Sequence, residues 1–243
     1  MNRHRKITTA LCAALLGNLL TLPVMGQVLS TRPMEEKEPG MKEIQAALDQ
    51  TMNKLNELVP SPKMLGDAKF RKENGEKVAP ILMKLARLKK EIATNPQWTA
   101  MQHGRGMNPE MDRLHILGIA MALGDKDAEK ILTEAAASKD ATQVIHAKLA
   151  IAVGNWIMNS EDAKAQQKVL DDCAAIAKAN PEDDAIALTL IGLTQIGSAN
   201  QEMPDKVIEV IRANLTGNLA RTAVARWDVE KTKKNTDGKP QGQ

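Results

Sequence analysis

The chain contains 243 residues, with 33 lysines and arginines against 30 aspartates and glutamates, and its formal net charge is +3. Residues 1–26 hold three of these basic residues and no acidic residue, so the rest of the chain carries equal numbers of both signs. Because nucleic-acid binding rests on summed positive charge, this balance argues against a nucleic-acid partner.

The first 26 residues have the pattern of a secretory signal peptide. A basic start precedes an uncharged apolar stretch over residues 7–25, and the small residues Val24 and Gly26 fit the positions three and one before a cleavage site. The stretch approaches the length of a membrane anchor, but polar residues and a proline inside it favour cleavage. We therefore predict export across the inner membrane of a bacterium, to the periplasm or beyond, with no stable membrane span after cleavage.

Removal of the signal takes Cys12 with it and leaves Cys173 as the last cysteine, so the protein can form no intrachain disulfide. We expect Cys173 to be a buried, inert thiol on the apolar face of a helix. Aromatic residues make up 2% of the chain. Stability must therefore come from a core of aliphatic side chains, alanine and methionine.

The chain divides into four parts after the signal. Residues 27–40 and 232–243 are rich in charge, proline and glycine, a composition that predicts a flexible lead-in and a disordered basic tail. Residues 41–95 are predicted to form a helical hairpin. Residues 96–231 are predicted to form a domain of stacked helix pairs.

Within the hairpin, apolar residues recur at steps of three and four from Ile44 to Leu58 and again from Val78 to Ile92. Pro80 fits only the first turn of a helix. We therefore expect the second helix to begin near Val78 and the polar stretch 60–75 to be a connection.

Helix-start signals then follow at short intervals. Three asparagines precede a proline that fits the first helical position, and they are Asn95, Asn108 and Asn180. Further capping residues are expected at Asp125, Asp140 and Ser160. Together with the 3.6-residue apolar period they predict helices over residues 109–123, 126–138, 141–158, 161–179, 181–197, 204–215 and 219–231. No stretch has the two-residue alternation of a strand, so the predicted fold is all-α.

Grouped in pairs, these helices give units that begin near residues 108, 140, 180 and 218, intervals typical of helical-hairpin repeats. The first helix of the first three units carries a glycine within its apolar run, and these glycines are Gly118, Gly154 and Gly192. We expect each glycine to lie where two helices cross closely.

The sequence KANPEDD, residues 178–184, resembles the junction between two tetratricopeptide-type repeats, and the three glycines resemble the small residue in the first helix of such repeats. The resemblance covers roughly residues 108–230. It implies an α-solenoid, in which stacked helix pairs expose a groove formed by one helix of each pair, and a general role in protein contacts. No ligand-binding residue is carried over from the family.

The segment MQHGRGMNPEM, residues 101–111, has two interpretations. The first is a soft-metal site for Cu(I), whose ligands would be Met101, His103, Met107 and Met111. The second is a helix junction, in which a glycine ends one helix, Asn108 caps the next and the methionines fill core positions. We favour the junction and predict no cofactor.

Catalytic motifs are missing from the sequence, which has no nucleophile elbow, phosphate-binding loop, HExxH or CxxC. His115 and His146 lie in apolar helices, where a packed side chain is expected rather than a ligand. We therefore predict a non-catalytic, exported helical-repeat protein that acts as a scaffold for an unidentified protein or peptide. An enzyme that uses carboxylates or histidines on the same scaffold is the less favoured alternative.

Overall fold

A computed structural model describes residues 39–96 and 108–237 of the chain. Within these two ranges the chain forms nine α-helices and one 3-10 helix and contains no strand, which confirms the all-α prediction. The α-helices are, in chain order, α1 (Pro39–Leu58), α2 (Ala68–Thr94), α3 (Pro109–Ala122), α4 (Lys126–Ala136), α5 (Ala141–Met158), α6 (Ala163–Ala179), α7 (Asp184–Leu193), α8 (Met203–Asn214) and α9 (Asn218–Asp237). The 3-10 helix, Pro62–Gly66, lies between α1 and α2. None of these helices is both long enough and apolar enough to span a membrane.

Packing after α2 runs mainly between helices that are close in sequence. The helices α3, α5, α7 and α9 form a row in which each helix packs against the next. α4 packs against α3 and α5, while α6 and α8 pack against each other and against members of the row. α3, α5 and α7 are apolar around most of their circumference, as expected of helices surrounded by neighbours. The core therefore extends along the row.

The N-terminal hairpin packs against the first helix of the row, because α1 packs against α2 and α2 packs along α3. The predicted start of its second helix near Val78 is wrong. α2 begins at Ala68, where the Asp67 carboxylate accepts a hydrogen bond from the backbone N–H of Phe70 at 3.1 Å. Pro80 therefore lies inside the helix. It is exposed, so water can hydrogen-bond the carbonyl that loses its backbone donor.

Three predicted helix starts are confirmed by capping hydrogen bonds. Asn108, Asp125 and Asp140 each accept from backbone N–H groups in the first turn of α3, α4 and α5, at N···O distances of 2.9–3.2 Å. α3 ends at Ala122, two residues before Gly124, whose φ is 91°, and the N–H of Asp125 donates to the carbonyl of Ala120 at 3.1 Å. Asp125 thus closes α3 and caps α4, so these two helices form a tight hairpin.

Two predicted caps are wrong. Asp162 rather than Ser160 caps α6, and Asp183 rather than Asn180 caps α7. Ser160 is instead buried, and the Asn180 amide donates to the carbonyl of Ile176 in the last turn of α6 at 2.9 Å. Aspartate is favoured at both starts because its charge also interacts favourably with the positive end of the helix dipole.

The predicted close crossing is confirmed for two of the three glycines. A Cβ atom on Gly118 of α3 would lie 2.1 Å from the carbonyl oxygen of Ala150 in α5. A Cβ atom on Gly154 of α5 would lie 2.6 Å from the carbonyl oxygen of Gly118. The two backbones therefore touch at a distance that only glycine permits. Gly192 is buried in α7, and its role at a crossing stays a prediction.

We expect Gly118→Ala to lower the free energy of unfolding by about 3 kcal/mol, because the added methyl group meets a backbone carbonyl and must separate α3 from α5. Gly40→Ala is the matched control, since a Cβ atom at Gly40 has no neighbour within 4 Å. That variant should be as stable as the wild type or gain up to about 1 kcal/mol from helix propensity. Urea unfolding followed by circular dichroism measures both changes. Equal stability of the two variants would contradict the close crossing.

Candidate functional site

The polar groups buried in the core are the first candidates for a functional site, because burial without a partner is costly and perturbed groups cluster at such sites. Within the described ranges these residues are Thr51, Lys89, Asp112, His146, Ser160, Gln166 and Thr189. The Thr51 hydroxyl donates to the carbonyl of Ala47 within its own helix. The other six form three groups, and each group ties separate helices together.

The first group is an ion pair between α2 and α3. Lys89 Nζ lies 3.3 Å from the Asp112 carboxylate, and the two residues are 4% and 9% exposed. Desolvation lowers the pKa of Lys89 and raises that of Asp112, while their mutual attraction opposes both shifts. The pair is fully enclosed between the hairpin and the row, so it serves to fix the position of α2 on α3.

The second group comprises the buried residues His146 and Thr189 together with the half-buried His115, and we call these three residues of α3, α5 and α7 the histidine cluster. The Thr189 hydroxyl donates to the carbonyl of Ala185 at 2.8 Å. Its oxygen is therefore the acceptor for His115 Nε2–H, at an N···O distance of 3.0 Å. This hydrogen bond links α3 directly to α7, although both helices also pack on α5.

The two imidazoles of the histidine cluster differ in exposure, because His146 is buried and His115 is half-buried. Burial, with a smaller contribution from His146, lowers the pKa of His115 to about 4. Burial also lowers the pKa of His146, and the carboxylates of Asp183, Glu110 and Asp140 oppose that shift. His115 is therefore neutral at pH 7 and donates a hydrogen bond through Nε2 without carrying a charge.

The third group lies at the turn between α5 and α6. The Arg71 guanidinium donates to the carbonyl of Leu65 at 2.9 Å and to Ser160 Oγ at 3.0 Å. The Ser160 hydroxyl in turn donates to the carbonyl of Gly66. At Gly66 the backbone also approaches Gly197, so closely that a Cβ atom on Gly66 would lie 2.6 Å from the Gly197 Cα. These contacts hold the start of α2 against the row.

Gln166 completes this third group. Its Nε2 donates to the carbonyl of Trp156 at 3.2 Å, and its Oε1 accepts from the backbone N–H of Ala199 at 2.9 Å. The residue is fully buried, and it holds the loop between α7 and α8 against α5 and α6. The indole N–H of Trp156 has no hydrogen-bond partner, which makes it the exception among buried side chains in the described part of the chain.

Most of the sequence-predicted metal ligands lie outside the described residues. Met101, His103 and Met107 lie outside the described ranges. Met111 lies in the first turn of α3, and 6% of its surface is exposed. Among residues 39–96 and 108–237, no three His, Cys, Asp or Glu side chains are arranged to hold a metal ion. The Cu(I) site therefore stays a prediction.

Cys173 is buried in α6, as the sequence predicts. Burial, together with the charge of Asp172, raises the pKa of the thiol to about 12. Such a thiol carries almost no thiolate at neutral pH, so Cys173 is suited to packing.

Sequence reasoning missed most of these buried polar residues. The burial of Lys89 could have been predicted, because Lys89 occupies a position of the three- and four-residue apolar period that is otherwise apolar. The series is Val78, Leu82, Leu85, Lys89 and Ile92. His115 and His146 were treated as separate packed residues, and the structure brings them together. Thr189, 74 residues from His115, could not be assigned as its partner from a single sequence.

Comparison with known proteins gave no match to any protein family, curated protein sequence or solved structure.

We expect Lys89→Met to lower the free energy of unfolding by about 3–5 kcal/mol at neutral pH, because it leaves the Asp112 carboxylate buried without its partner. The double variant Lys89→Met/Asp112→Leu removes both charges and should recover most of the loss. Lys84→Met, at an exposed lysine of the same helix, should change stability by no more than about 0.5 kcal/mol. If chemical denaturation gave Lys89→Met and Lys84→Met the same stability, the pair would have no structural role.

For the segment 101–111 we expect no specific Cu(I) binding, because the helix-junction interpretation gives its methionines a packing role. Titration of the purified protein with Cu(I) under reducing conditions measures the bound equivalents. The control is the triple variant Met101→Ala/His103→Ala/Met107→Ala. A tightly bound ion in the wild type that is lost in the triple variant would establish the metal site instead.

Proposed function

We propose that this protein is a non-catalytic, exported helical-repeat protein that acts as a scaffold for a protein or peptide partner. The observation that carries the proposal is the order of packing from α3 to α9. Each helix of the row packs against the next, and the intervening helices pack against neighbours in sequence. Helical-hairpin repeats build an extended binding surface from short units in this way.

The positions of the helix starts support a repeat. The first helices of successive pairs begin at Pro109, Ala141 and Asp184, and α9 begins at Asn218. These starts lie close to the unit boundaries that the sequence predicts. The resemblance to tetratricopeptide-type repeats rests on the same pairs and favours a role in protein contacts.

The surface of α9 supports its role as the closing helix of such an array. Leu219, Val224 and Trp227 pack toward the core. Arg221 and Thr222, on the other side of the helix, are exposed. Terminal repeats need a polar outer face of this kind because no further helix covers them.

The outer side of α5 offers an apolar surface for a partner. Val144, Ile151 and Met158 recur every seven residues and therefore follow one side of the helix. Val144 and Ile151 are half-buried, and Met158 is 44% exposed. Half-exposed apolar side chains at this spacing are the kind that an apolar segment of a partner covers on binding.

The proposal is tested by placing a photo-reactive amino acid at Val144 or Met158 and irradiating intact cells that produce the full chain. We expect each position to give a covalent adduct with the same partner, because both lie on the proposed surface of α5. Lys168 and Asp171 on α6, which are also exposed, serve as control positions. Mass spectrometry of the adducts identifies the partner and the attachment site.

Two outcomes would contradict this proposal. Adducts of equal yield from the α5 and α6 positions would show that α5 has no binding preference. Recovery of protein that still begins at Met1, rather than at Gln27, would show that the signal is not removed.

A further inference from the structure

The open side of α5 is a single line of five residues, which we call the α5 strip. Its members lie at steps of three and four residues, and they are Val144, Lys148, Ile151, Asn155 and Met158. Lys148 and Met158 are exposed, and the other three are half-buried. Between Val144 and Met158, every other residue of α5 is buried except Ile145, which is half-buried. The α5 strip is therefore the side of the helix that its packed neighbours leave uncovered, over a length of about 20 Å.

Lys148 gives the α5 strip its only charge. It is the one lysine or arginine of α5, and α5 contains no acidic residue. Among the described residues no carboxylate lies within ion-pair distance of its ammonium group. An entirely apolar partner that covered the strip would remove water from this charge without replacing it, which is costly. A carboxylate of the partner that faces Lys148 avoids that cost, because it hydrogen-bonds the ammonium group.

The backbone of α5 limits the conformation of the partner segment. α5 is a continuous helix from Ala141 to Met158, so its N–H and C=O groups bond within the helix and offer no sheet edge to an incoming segment. An extended peptide laid on the α5 strip would bury its own backbone polar groups without partners. A helical segment satisfies these groups internally, and its side chains pack between those of another helix. These constraints favour a helix as the occupant.

We propose that the segment bound by the α5 strip is an amphipathic helix with apolar residues at steps of three and four and an acidic residue that faces Lys148. The inference rests on the proposed scaffold function, because it specifies the partner for the same surface of α5. Val144 and Ile151, one turn on either side of Lys148, contact the apolar residues of that helix. Its acidic residue likewise lies between two apolar residues.

Fluorescence anisotropy of labelled synthetic peptides, titrated with the purified full chain, tests the charge requirement. The first peptide is an amphipathic helix of about 18 residues, with leucine at steps of three and four along one face and a glutamate within that face. The second peptide has lysine in place of the glutamate. We expect the wild type to bind the glutamate peptide about tenfold more tightly, because the lysine peptide places a like charge against Lys148. A third peptide, with proline in the middle of the glutamate peptide, cannot form the helix and should bind far more weakly.

Variants of the chain separate pairing with Lys148 from general attraction. Lys148→Glu should reverse the order of the two peptides, and Lys148→Met should bring their affinities within about twofold of each other. Lys90→Glu, at an exposed lysine of α2, is the matched control and should keep the wild-type preference. Met158→Ser should weaken the binding of both peptides about threefold, because it removes apolar area from the α5 strip. Circular dichroism confirms that each variant is folded.

Several results would overturn the inference. They are failure of the glutamate peptide to bind, equal affinity of the glutamate and lysine peptides for the wild type, equal affinity of the glutamate and proline peptides, and an order unchanged in Lys148→Glu. A dimer that Met158→Ser dissociates would assign the α5 strip to a second copy of the chain instead. Retention of the chain by phosphatidylglycerol vesicles, with no binding of any peptide, would assign it to a membrane surface.

The inference and the proposed function can fail separately. Photo-reactive residues at Val144 and Met158 that give no shared partner would contradict the scaffold function. A shared partner whose attached segment lacks the acidic, amphipathic helix would overturn the inference and leave the scaffold function in place.

Discussion

The backbone contact between α3 and α5 is the constraint on which the rest of the arrangement depends. Gly118 and Gly154 bring the two helices so close that a Cβ atom at either position would overlap the backbone of the other helix. α2 packs against another side of α3, and α4, α6 and α7 pack against α5. A wider crossing would move all these helices together, because interiors are packed too densely to absorb such a shift locally. The two glycines thus determine the distance between α3 and α5, the two helices against which most of the others pack.

Close packing alone does not fix how far one helix rich in alanine and leucine slides or rotates against another. The buried polar pairs fix this register. A slide of α2 along α3 would separate Lys89 from Asp112 and leave two unpaired charges in the core. A rotation of α7 would remove the acceptor of His115. Gln166 has the same effect on the loop after α7, because both ends of its amide are hydrogen-bonded to other segments. At these three places apolar area is therefore combined with a polar contact that fits in a single position.

The features that could be predicted from the sequence are those that depend on residues close together in the chain. Apolar periodicity and capping residues at Asn108, Asp125 and Asp140 act within one or two helical turns, and these predictions are confirmed. The predicted start of α2 is wrong because it assumes that a proline must lie in the first turn of a helix. Pro80 is tolerated inside α2 because its turn is exposed, and that exposure depends on which helices pack nearby. The histidine cluster depends on contacts between residues far apart in the chain. A single sequence carries no record of such contacts, so the cluster could not be predicted.

The distribution of polar groups bears on where a partner would bind. The buried charged and hydroxyl groups of the described residues pair with one another or with backbone carbonyls, so their hydrogen-bonding capacity is used within the fold. Recognition by polar groups would need such side chains unpaired and directed into a cavity. The line of Val144, Ile151 and Met158 on α5 is, by contrast, apolar and partly open to solvent. Under the proposed scaffold function, burial of that apolar surface would supply the driving force for binding, because it removes apolar area from water.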